Sequence, residues 1–110
     1  MNAPTPLVRS DGDVVSFDRR ELAVILSLYG RMVAAGEWRD YAMDFQPEFA
    51  AFSIFRRAAE VPIYRVEKRP ALRNRQGIYA IRGTDGQVLR RGHDLAAALR
   101  VLEKPLRPID

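Results

Sequence analysis

There is no cysteine anywhere in the 110 residues. That removes disulfides, thiol nucleophiles and thiolate metal sites, and it fits a reducing compartment, so the cytoplasm is the expected location. Histidine is nearly as scarce. His93 stands alone, and its neighbours Gly92 and Asp94 match no metal-ligand spacing but do match the start of a helix. Also missing are a G-x-S-x-G elbow, an H-E-x-x-H pair and a phosphate loop; "RGTDG" holds two glycines but reads as a hairpin turn. Glu37 with Asp40 or Asp44 could do acid–base work, yet nothing in the sequence gathers them round a pocket. The expectation is a protein that is not an enzyme, with no cofactor, no metal and no small-molecule ligand.

Long apolar runs are absent as well. The densest, "LAVILSLY", is far short of a membrane span, and "MNAPTPLVRSDGD" lacks the basic start and apolar run of a secretory signal. The chain therefore reads as soluble and unprocessed, with no membrane partner. What it has is enough apolar content, 47%, for one compact domain with a modest core. Residues 1–13, with two prolines and no period, read as a flexible tail; 14–104 as a single α+β domain; 105–110 as a short C-terminal tail.

Charge is unevenly laid out. Residues 1–50 hold five arginines against eight carboxylates, whereas residues 51–110 hold thirteen Lys and Arg against six. An acidic partner would go to the second half.

The first strong local signal is "FDRREL". Asp18 can cap a helix, Glu21 can reach back to it, and Phe17 can staple onto Leu22. That helix is expected from about Arg19 to Ala35, with Gly36 ready for a left-handed turn. At about 100° per residue, Leu22, Ile25, Leu26, Tyr29, Met32 and Val33 form its core face, with Val24 and Leu28 just outside. The apolar surface is then wider than one sheet covers, which makes Val24 and Leu28 candidates for contact with another element or a second copy.

Strands follow. "DVVSF" could add a short one before the helix. Tyr41, Met43 and Phe45 alternate as the inward side of a half-buried strand, and "FAAFSIF", apolar on both faces, reads as central. "VPIYRVEK" carries Pro62 near its start, and "GIYAIR", "TDG" and "QVLRR" read as a hairpin around Asp85-Gly86. A C-terminal helix starts near Asp94. Short connections exclude parallel crossovers, so the fold class is α+β: a mainly antiparallel sheet of four to five strands with an N-terminal and a C-terminal helix on one face.

Two candidate surfaces emerge. From Lys68 to Thr84 there is no acid but Lys68, Arg69, Arg73, Arg75 and Arg82, with Tyr79 among them. Arg56, Arg65, Arg82 and Arg91 lie on strands or their ends and would share a face if alternation aligns them. Guanidinium forks suit phosphate, so nucleic acid or an acidic protein is the expected partner; the bland reading is a solvated, Arg-rich surface. The second surface is "AAGEWRDYAMDF", where Trp38 and Arg39 could anchor a partner or simply close the bend from helix to strand. Together these favour a non-enzymatic binding module; the alternative is a self-associating domain, a homodimer using the apolar first helix.

The segments "VSFDRREL", "LYGRMVAAGEWRDYAMDF", "FSIFRRA", "PIYRVEK", "RQGIYAI" and "LRRGHDL" resemble a family of small bacterial proteins known only as a domain of unknown function, found mainly in alphaproteobacteria. The run "YGRMVAAGEWRDYA" carries most of the resemblance, which covers about residues 14–104. It implies a bacterial cytosolic protein and lends no activity, cofactor or site residue.

Overall fold

The computed structural model describes residues 13–57 and 61–103. The expected tails fall outside them, apart from Asp13. Helix α1 (Arg19–Ala34) is followed by strands β1 (Asp40–Phe45), β2 (Ala50–Phe55), β3 (Tyr64–Lys68), β4 (Tyr79–Arg82) and β5 (Val88–Gly92), then by a short helix α2 (Leu95–Leu99) that tightens into a 3-10 turn, Arg100–Leu102. The strands form one antiparallel sheet in chain order, with β1 and β5 as edges and β3 at the centre. Both helices lie on one face, as the α+β reading expects. "DVVSF" is not a strand of this sheet: only Val15 donates to the carbonyl of Gln46. Nor is β2 central. It is buried on both faces because the helices cover one and arginine side chains the other.

Helix α1 begins as its sequence dictates. The Asp18 carboxylate accepts from the Glu21 amide and the Glu21 carboxylate from the Asp18 amide, each at 2.8 Å, a reciprocal cap whose Asp oxygen alone is worth about 1 kcal/mol. The helix ends in a Schellman turn at Gly36 (φ 80°): Gly36 donates to Val33 and Glu37 to Met32.

The buried face of α1 differs from expectation. Glu21, Ile25, Leu28 and Met32 point into the core, while Leu26 and Val33 stay exposed. On a ~100° step the helix is turned by about 70° from the face its apolar residues mark. Two contacts explain the turn. Glu21 is drawn down to Lys68 and Tyr79, and α2 packs on the Val24 and Leu28 flank. Of the two contacts expected for Val24 and Leu28, another element or a second copy, the structure shows the first, the C-terminal helix, and Leu28 is buried in the core.

The core joins Ile25, Leu28 and Met32 to Phe52, Ile54, Val66, Ile81, Leu95, Leu99 and Leu102. Each such side chain contributes about 1.5–3 kcal/mol on burial. Tyr41, Met43 and Phe45 do face the helices, since they pair with Ile54, Phe52 and Ala50. Being on an edge, they remain about 40% exposed. The β3–β4 connection folds back tightly: Gly77 (φ 109°) sits so close to Gly92 that a Cβ would lie 2.6 Å from its backbone.

Candidate functional site

Strand pairing decides which arginines meet. In an antiparallel sheet, directly opposed residues share a face. One row across the strands reads Asp44, Ala51, Glu67, Ala80, Arg91, and the next reads Ala42, Ser53, Arg65, Arg82. Both rows lie on the face away from the helices. Arg65, Arg82 and Arg91 are therefore on one surface, and alternation along β3 adds Arg69.

At its centre is Glu67, only 3% exposed. The Nε atoms of Arg65, Arg82 and Arg69 stand 3.2, 3.1 and 3.5 Å from its carboxylate oxygens. Arg69 makes a hydrogen bond; Arg65 and Arg82 are close enough to pair as ions but angled off hydrogen-bond geometry. Ala51 and Ala80 flank the glutamate, and their small side chains leave room for the guanidinium stems to lie flat across the sheet. Phe49 is sandwiched in this layer, with the Arg65 and Arg69 guanidinium carbons 5.2 and 4.7 Å from its ring centre, within cation–π range. Arg82 also donates to the Gly86 carbonyl at 2.7 Å. Arg91 has a buried nitrogen, Nη1, with no hydrogen-bond partner among the described residues. Three guanidiniums thus contact one carboxylate, with Arg91 further along the same row.

Lys68 does not belong to this surface. It pairs with Ala50 and Tyr79 on the helix side of the sheet, where its ammonium lies 2.7 Å from Glu21 Oε1 and 2.8 Å from the Ser16 carbonyl. The Tyr79 hydroxyl donates to the other Glu21 oxygen. Burial, and then this bond to Glu21, push the Tyr79 phenol well above the ordinary range. Arg73 and Arg75 are exposed on the β3–β4 loop, and Arg56 is exposed just past the end of β2. The eight predicted binding residues thus divide into four on the open face, three at its borders and one beneath the helix.

Trp38 is 3% exposed, with Tyr29 and Tyr64 at ring-centre distances of 6.1 and 6.2 Å. Its amide approaches the Met32 carbonyl, and the Arg39 amide donates to Phe55. Asp40 accepts from the Tyr41 amide and Asp44 from the Gln46 side chain. This is a structural corner. His93 is exposed at the wall of a roughly 410 Å³ groove shared with Glu21, Tyr79 and Asp94, at the start of α2. Asp94 caps α2 through the Ala97 amide at 3.1 Å. Among the described residues no three His, Asp or Glu side chains gather as a metal would need, and no helix is long and apolar enough to cross a membrane.

Glu67 and Phe49 were not singled out from the sequence, although the signal existed for the first. In "YRVEKR" a period of two already sets Arg65, Glu67 and Arg69 together and Lys68 opposite. Phe49 lies before β2 and no local pattern assigns its face.

The fold and this face define a class: an α+β protein with helices on one side of a five-stranded meander and an arginine-bearing open side. The chain belongs to the family described as "Protein of unknown function (DUF2794)", whose model matches residues 15–99. No curated protein and no solved structure matches it.

Proposed function

We propose that this chain is a non-enzymatic binding module whose open sheet face takes a polyanion, and that single-stranded nucleic acid is the ligand class it suits best. The observation that carries this reading is the group of four arginines, Arg65, Arg69, Arg82 and Arg91, on one face, where Glu67 is buried among them and the other carboxylates, Asp40 and Asp44, stand apart on the edge strand β1. Guanidinium forks present paired donors to phosphate. Beside the arginine layer Ala42 is exposed and Ser53 half-buried, and the exposed Arg56, Arg73 and Arg75 extend the positive field beyond its ends. The Phe49 ring holds the Arg65 and Arg69 guanidiniums at the sheet surface by cation–π contact. An acidic protein is the competing ligand.

Fluorescence anisotropy with labelled single-stranded oligonucleotides, with polyglutamate as competitor, tests this. Binding is expected to weaken with salt on a log–log slope of about −2 to −3, as three or four phosphate contacts on a single strand would give. Arg65→Gln with Arg82→Gln should lower affinity about tenfold or more while the circular dichroism spectrum stays unchanged. Absence of binding at roughly 50 mM salt, where counterion release favours association, removes the reading. Preference for polyglutamate transfers the face to an acidic protein.

A further inference from the structure

The two edges of the sheet differ in kind. β5 carries a register shift beside Ile81 and Arg82 that leaves Leu89 without an opposite residue, and it bears Arg90 and Arg91. Bulges and basic residues are devices that keep edges from pairing. β1 has no bulge, no proline and no basic residue among its six positions. The bond from the Gln46 amide to the Phe49 carbonyl sets the phase of the β1–β2 ladder: Asp40, Ala42 and Asp44 bond inward, and Tyr41, Met43 and Phe45 turn their amides and carbonyls to the edge, which no strand among the described residues covers. Of these, the Tyr41 amide has a local acceptor in Asp40.

The same three residues put exposed apolar side chains on the helix face. Beside them, Tyr29 touches Tyr41 at 5.0 Å between ring centres. Leu26 and Val33, one turn to either side of Tyr29, share its flank of α1. Five of the eight large apolar side chains left exposed among the described residues, Leu26, Val33, Tyr41, Met43 and Phe45, are therefore one strip along β1.

We infer that β1 is a homodimerisation edge: it pairs antiparallel with β1 of a second copy about a two-fold axis through Met43. The edge is self-complementary. Its outward-bonding residues are all odd-numbered, so the symmetric register sets Met43 opposite Met43 and Tyr41 opposite the second copy's Phe45, apolar against apolar on the helix face. On the other face Asp44 meets Ala42. A shift by one step, with Ala42 on the axis, would instead set Asp40 against Asp44, like charge against like. The helices of both copies then fall on one side of a continuous ten-stranded sheet, and the strip of one α1 lies across the axis from that of the other. The expected dissociation constant is in the micromolar range. It stands whatever the arginine face binds.

Light scattering on the full chain should show a shift from 12.5 kDa to twice that mass as concentration rises through the micromolar range. The chain has no native cysteine, so Met43→Cys places a unique thiol on the axis. Opposed Cα atoms there are within disulfide reach, at about 5.5 Å, and mild oxidation should yield a covalent dimer. Met43→Lys should be monomeric with an unchanged circular dichroism spectrum. A wild-type chain that stays monomeric up to about 100 μM, well above a micromolar dissociation constant, overturns the inference. So does a dimer that Met43→Cys fails to cross-link, in particular one linked by Val24→Cys in the groove between the helices.

Discussion

Among the described residues each face of the sheet buries one glutamate, and the two are served in different ways. Glu21, under the N-terminus of α1, meets one ammonium, one phenol and one backbone amide, so its charge is matched and its oxygens are saturated. Glu67, on the open face, meets three arginines with a fourth alongside. The first arrangement is closed and orients a helix. The second leaves positive charge over, at side chains that keep about a quarter to a third of their surface in water, and that remainder is what a polyanion would use.

The contrast breaks most readily at Glu21. Glu21→Ala removes the capping box and leaves Lys68 largely buried beside a single carbonyl, and a loss of about 3 kcal/mol is expected, in the range for breaking a buried pair. Urea denaturation measures it. A loss under about 1 kcal/mol would mean the pair behaves as a surface one.

Glu67→Gln keeps the shape and deletes the charge. Its expected cost is smaller, about 1–2 kcal/mol, because water screens the partly exposed guanidiniums, and affinity for single-stranded nucleic acid should rise severalfold. Equal destabilisation at Glu21 and Glu67, with no gain in binding, would make both faces structural and end the distinction.

Tyr79→Phe gives the smallest effect, about 1 kcal/mol near neutral pH for one lost hydrogen bond. Its value lies in the pH dependence. The folded phenol holds its proton above the ordinary value near 10. Its stabilisation is therefore complete below about pH 10 and lost as pH rises toward the folded value, since the unfolded state releases the proton first. Wild-type urea midpoints should fall between roughly pH 10 and pH 11 and those of Tyr79→Phe should fall less. Parallel curves would detach Tyr79 from Glu21.

How much was readable in advance follows the range of the interaction. The cap at Asp18, the glycine turn at Gly36 and the hairpin at Asp85-Gly86 are settled within a few residues, and the chain shows them. The grouping of Arg65, Arg82 and Arg91 needed strand register, and only the conditional form was legible. Lys68 was placed with its sequence neighbours because they are contiguous and basic, whereas a strand sends neighbours to opposite faces. For Trp38 the sequence favoured a structural corner over a site, and the packing of its ring against Tyr29 and Tyr64 supplies the contacts such a corner needs.

By itself, then, the sequence determined the element order, the α+β class, the helix caps and the surplus of positive charge in the second half, all consequences of local geometry and composition. Tertiary structure decided the turn of α1, the burial of Leu28 and Trp38, the three arginines at Glu67 and an edge of β1 that no strand among the described residues covers. These depend on which distant residues come within a few ångströms. Glu21 is 47 residues from Lys68 and 58 from Tyr79, and no periodicity along the chain encodes such a meeting.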